Sequence, residues 1–115
     1  MTTPEGVVKN KVKKILDAHG AYYYMPVPGG YGKPSLDFIG SYNGYFFAIE
    51  TKAAGKHATT RQNATAQDMI RGGAAVFFIE GADSLAFNAL DRWFNMCKTG
   101  VSTGFIYDND HVIGI

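Results

Sequence analysis

Val8, Val12, Ile15 and Leu16 fall on one helical stripe, with Lys9, Lys11, Lys13 and Lys14 largely off it. That spacing predicts a helix from Thr2 to Asp17. Thr2-Thr3-Pro4-Glu5 reads as a capping box, with Thr2 as cap and Glu5 three residues on, and His19-Gly20 closes the helix. Tyr22, Tyr23, Tyr24 and Met25 predict a short strand. Pro and Gly residues break up Val27 to Pro34, which predicts a loop. Leu36 to Tyr42 and Tyr45 to Thr51 are aromatic and aliphatic, and Asn43-Gly44 between them is the strongest hairpin signal in the chain. After a polar stretch, Thr59 or Thr60 caps a predicted helix from Arg61 to Arg71, closed by Gly72-Gly73. Ala74 to Ile79 predicts a buried strand. Asp83 or Ser84 caps a third helix through Cys97, with Leu85, Leu90, Trp93 and Phe94 inward. Trp93 and Phe94 suit a core, or alternatively a dimer interface. Phe105 to Tyr107 and Val112 to Ile115 are weaker strand candidates. The order α-β-β-β-α-β-α, then a terminal hairpin, predicts an α/β domain with a mixed sheet.

Composition narrows the class without naming a function. The 115 residues, 46% hydrophobic and 18% charged, suit one globular domain over 1–115 that needs no disulfide or zinc staple. One cysteine, Cys97, makes no intrachain disulfide and suggests no zinc site, so a reduced, cytoplasmic setting is expected. No apolar run approaches the roughly 18 residues of a membrane span, and the polar N-terminus is unlike a signal peptide. A net charge of +1 does not indicate a globally basic nucleic-acid binder, so any phosphate contact must come from local clustering.

The hairpin brings candidate chemistry together. A two-residue turn at Asn43-Gly44 pairs Tyr42 with Tyr45, and the same register carried outward sets Asp37 opposite Glu50. Their Cβ atoms would then lie about 4.5–5.5 Å apart. Lys52, two residues past Glu50, projects from the same face. Opposed carboxylates destabilise a sheet, and a hard divalent cation offsets their repulsion. Such an ion, Mg²⁺ or Mn²⁺, would take Asp37, Glu50 and the backbone carbonyl of Thr51 as ligands. Lys52 would hold or deprotonate an attacking water, or steady charge building at phosphorus. In the simpler reading Asp37 is a turn cap and Glu50 and Lys52 an exposed charged pair. Against that, Phe46, Phe47, Ala48 and Ile49 run apolar straight into Glu50, and a charge at the end of a buried strand needs a reason.

Asp37 followed by Glu50-Thr51-Lys52 resembles the D…E-x-K core of the PD-(D/E)XK nuclease superfamily. The longer pattern is similar to its VRR-NUC branch: Glu5 on an early helix, Gly29-Gly30-Tyr31-Gly32 before the Asp, Gly55 after E-x-K, Gln62 opening the next helix, then Gly72-Gly73-Ala74-Ala75-Val76. Leu36 stands where that family often has Pro. The resemblance implies a restriction-endonuclease-like core with a central mixed sheet flanked by helices. It implies Asp37 and Glu50 as metal ligands and Lys52 as the water-activating residue. It also implies Glu5 as a helper of the metal, directly or through water, and Gln62 as a site-flanking residue, with Gln67 the weaker choice. The activity implied is Mg²⁺-dependent DNA endonuclease action. Stand-alone relatives of this kind imply a homodimer cutting four-way (Holliday) junctions, and a phage or bacterial origin suits so compact a chain. The alternatives are a less selective flap or single-strand nickase, and a nuclease-fold module that binds nucleic acid without cutting it.

Lys33, Lys56, His57 and Arg61 flank the site in sequence and are candidates for phosphate contact, although loop lysines are commonly just solvated. His19, His57 and His111 lack ligand spacing, which disfavours a histidine metal site. Tyr22, Tyr23, Tyr24 and Tyr31 can stack on unpaired bases; the simpler expectation is a strand in the core with one ring exposed.

Overall fold

A computed structural model describes residues 2–27, 32–99, 105–108 and 111–114, with side chains described through residue 99. Asn43 and Gly44 both adopt positive φ, 50° and 87°, as a two-residue hairpin turn of the primed type requires. The turn joins β2 (Phe38–Tyr42) to β3 (Tyr45–Lys52) in the expected register, with Tyr42 opposite Tyr45 and Phe38 opposite Ile49. β1 (Tyr22–Tyr24) adds antiparallel to β2. β4 (Ala75–Glu80) lies parallel to β3 across the crossover helix α2 (Thr60–Arg71). β5 (Phe105–Asp108) is parallel to β4 and β6 (His111–Gly114) antiparallel to β5, which completes a mixed sheet in the order β1-β2-β3-β4-β5-β6. Tyr31 and Gly29-Gly30 lie outside the described residues.

Two helices share one face of the sheet. α1 (Pro4–His19) buries Val8, Val12 and Leu16, and α3 (Ala86–Lys98) buries Leu90, Trp93, Phe94 and Cys97. Both pack on Phe38, Phe47, Ile49, Phe77 and Ile79. The Trp93 ring stands edge-on to Phe47 and Phe77, with centroids 5.8 Å away in each case, so it is core rather than an interface residue. On the other face α2 covers Ala48, Val76 and Phe78 through Ala66. Cys97 is 2% exposed, and burial pushes its thiol up to about 11, so it is a poor nucleophile. No helix among the described residues is long and apolar enough to cross a membrane.

Three local expectations are corrected. The cap of α1 is Thr3, whose side chain accepts from the Gly6 amide, not Thr2. Pro4 lacks an N–H and has a fixed φ, which suits the first helical position and makes the residue before it the cap. Leu85 is not inward: it precedes α3 and is 65% exposed, while Ala86, Phe87 and Ala89 take the buried positions. Ser84 accepts from the Ala86 amide and starts that turn, but α3 has no side-chain cap at Leu85. Two rings of the tyrosine run are exposed rather than one. Only Tyr23 turns inward, to Phe38, while Tyr22 and Tyr24 take the opposite face of the edge strand.

Gly40 lets β1 close on this core. A Cβ there would meet the Tyr22 carbonyl at 2.2 Å, the Phe47 ring at 2.7 Å and the Tyr23 Cα at 2.9 Å. Gly40→Ala is therefore expected to cost roughly 1–3 kcal/mol by overpacking. Thermal unfolding checks this: a melting temperature within about 1 °C of the wild type would show that β1 does not sit over Gly40 as described.

Candidate active site

The end of the β2–β3 hairpin places Asp37 and Glu50 side by side where the apolar run stops. Asp37 N–H donates to Glu50 Oε1 at 3.2 Å. Asp37 Oδ2 accepts from the Thr51 amide at 2.9 Å and from Thr51 Oγ1 at 2.7 Å. The predicted opposition therefore stands, with one refinement: the Asp37 carboxylate turns along the strand end towards Thr51. Lys52 Nζ lies 3.5 Å from Glu50 Oε2 on the same face.

Glu50 is electrostatically strained. Its side chain is 4% exposed. Burial, and then the neighbouring Asp37 charge, push its carboxyl up to about 7, against the opposing pull of Lys52 and the Asp37 amide. Gln62 supports it from α2. The Gln62 Nε2 donates to Glu50 Oε2 at 2.8 Å while its Oε1 accepts from the Thr59 amide at 2.9 Å. One side chain thus closes the capping box of α2 and steadies a site carboxylate. Gln67 is exposed on the same helix, which settles the choice between the two glutamines as neighbours of Glu50.

The backbone of Thr51 faces the same place. Lys52 C=O accepts from Gly81 N–H at 2.9 Å, on the β4 side. Peptide groups of successive residues in a strand point to opposite edges. Because the Thr51 amide reaches Asp37, the Thr51 carbonyl also lies on the Asp37 edge. The donor set is then two carboxylates and a carbonyl, all hard oxygens, which suits a cation that keeps several waters. Among the described residues no three His, Cys, Asp or Glu side chains gather as a cage.

Lys9 was not foreseen. Its Nζ sits 2.5 Å from Glu5 Oε2 and 3.4 Å from Asp37 Oδ2, so it stands between the helix carboxylate and the hairpin carboxylate. Burial pulls the Lys9 ammonium down, but Glu5 and Asp37 outweigh it and hold it above the usual lysine range. Glu5 thus reaches the site through Lys9. The available signal was the i, i+4 spacing of Glu5 and Lys9, which pairs them on one helix face.

An open cleft of about 780 Å³ lies over this end of the sheet, lined by Asp37, Glu50, Gln62, Lys33, Arg61 and Tyr24 among others. Two of the four candidate phosphate-binding cations, Lys33 and Arg61, are therefore in place. The other two are not among its lining residues. His57 Nδ1 pairs with Glu80 at 3.0 Å, and Lys56 is exposed on the turn whose amide donates to Ala53. Comparison with family models, curated proteins and solved structures finds no match for this chain.

Proposed function

We propose that this protein is a Mg²⁺-dependent nuclease that hydrolyses phosphodiester bonds in DNA, built on a restriction-endonuclease-like core of the VRR-NUC kind. One observation carries the reading: two carboxylates opposed at the end of a buried hairpin, with the Lys52 ammonium 3.5 Å from Glu50. A purely structural pair of acids gains nothing from this arrangement, since burial and mutual repulsion drive Glu50 towards its protonated form.

Asp37, Glu50 and the Thr51 carbonyl would hold Mg²⁺, or Mn²⁺ in its place, which when bound supplies Lewis-acid polarisation of the phosphoryl group. Thr51 fixes the Asp37 carboxylate through two hydrogen bonds, and Gln62 fixes that of Glu50. Lys52 would align the attacking water or take its proton, and it faces the charge that builds on the phosphorus oxygens. Lys33 and Arg61 position the flanking phosphates. Lys9 holds Glu5 and Asp37 apart from one another's charge. DNA is the partner, and a cytoplasmic homodimer acting on four-way junctions follows from the resemblance, because a two-fold dimer offers two sites to a near-symmetric junction. The exposed Tyr24 in the cleft favours the second reading, a nuclease for flaps or single strands.

The test incubates purified protein with end-labelled junction, flap, duplex and single-stranded DNA, in Mg²⁺ or in EDTA. Nicks that form in Mg²⁺ and vanish in EDTA are expected on at least one substrate. Folded protein that cuts none of the four in either Mg²⁺ or Mn²⁺ leaves only the binding module.

A further inference from the structure

α2 packs over β4 and the Ala48 position of β3; on the same face of the sheet Ile39 of β2 is only half-buried against that cluster, while Tyr22, Tyr24, Ser41 and Phe46 stay exposed. Register places Tyr22, Ser41 and Phe46 in one row across β1, β2 and β3, and Tyr24, Ile39 and Ala48 in the next. Tyr22 is 76% exposed, Tyr24 55% and Phe46 42%. Single exposed aromatics are ordinary, but three on one sheet face form a patch. The patch runs without a break into the cleft, because Tyr24 and Ile39 line it together with Asp37 and Glu50.

We propose that this sheet face is a stacking platform for an unpaired nucleic-acid strand leading into the cleft. The inference rests on the nuclease reading for what happens at Asp37 and Glu50, and adds the class of substrate. Two features choose this occupant. Tyr22 and Tyr24 stand two strand positions apart, about 6.7 Å, so each offers its own π surface to a base along an extended strand. Cations stand at both ends: Lys33 and Arg61 in the cleft beside Tyr24, and, at the hairpin-turn end, Lys98 of α3, which reaches round from the opposite face to a shallow depression shared with Tyr22 and Ser41. Rings between cations match bases between phosphates. A second protein strand is a poorer match, because β1 is only 3 residues long and offers a short edge for pairing.

Fluorescence anisotropy in EDTA, with a labelled single strand and a duplex of the same length, reads binding without cutting. Tyr22→Ala and Tyr24→Ala are each expected to weaken single-strand binding roughly 10-fold, with much less effect on duplex, and Tyr→Phe to restore it. Both side chains are exposed, so the variants should fold, and circular dichroism checks that they do. A double alanine variant that binds single strand within about twofold of wild type overturns the platform. So does light scattering that shows a wild-type dimer reduced to monomer by the double variant, which would make the face a self-interface. The two readings fail separately. Tyrosine-dependent binding by a protein that cuts nothing in Mg²⁺ keeps the platform and removes the nuclease. Undiminished binding and cutting by the double variant does the reverse.

Discussion

Lys52→Ala is expected to cut DNA roughly 10²–10⁴-fold more slowly than the wild-type chain while binding it about as tightly. The ammonium is 16% exposed and 3.5 Å from Glu50, so it is held at the site rather than sampling solvent. Its positive charge is most useful where negative charge develops, and a group of that kind contributes to the transition state more than to ground-state binding. Phosphate affinity comes from Lys33 and Arg61, which line the cleft where Lys52 does not, and which the substitution leaves in place. Lys33→Ala and Arg61→Ala should show the opposite split, with weaker binding and a shallower salt dependence. Single-turnover cleavage beside anisotropy separates the two effects. A Lys52→Ala protein that cuts at the wild-type rate sinks the assignment of that residue.

In EDTA the protein should lose stability as pH rises from about 4.5 to about 7, and the Glu50→Gln variant should not share that loss. The folded chain holds the Glu50 proton up to about 7, whereas the unfolded chain releases it near 4.5. Where the folded state binds more protons than the unfolded state, stability falls with rising pH. The contribution is complete below 4.5 and gone above about 7. At about 1.4 kcal/mol per pH unit, that window amounts to roughly 3 kcal/mol, or on the order of 10 °C in melting temperature for a chain of this size. Other groups titrate in the same range, so the quantity to follow is wild type minus Glu50→Gln at each pH. Millimolar Mg²⁺ should recover the loss at pH 8 in the wild type, since an ion that binds only the folded state stabilises it. The variant should gain much less. A difference curve that stays flat from pH 4.5 to 8 would mean that Glu50 is not buried beside Asp37 as described.

What could be read from residue order alone was what short-range physics controls. Helix stripes, a threonine cap at 59 or 60, which the structure resolves to Thr59, and the Asn43-Gly44 turn each depend on neighbours a few positions apart. A two-residue turn leaves the flanking strands a single favoured register, so the opposition of Asp37 and Glu50, thirteen positions apart, was legible in the sequence itself. Packing between distant segments decided the rest. Periodicity put Lys9 off the apolar stripe of α1, but only the docking of that helix on the sheet brings it to Asp37. Gln62 was placed near the site by resemblance, while its double role depends on α2 crossing between two parallel strands. Tyrosine spacing marked a strand, yet which rings stay bare depends on how far the α2-side cluster extends across the sheet, and it reaches Ile39 of β2 but leaves Tyr22 and Tyr24 of β1 exposed. Local dihedral preferences act within a few residues and are written in them. Coverage of one element by another is a competition among all the apolar faces of the chain, and no single stretch of sequence contains its outcome.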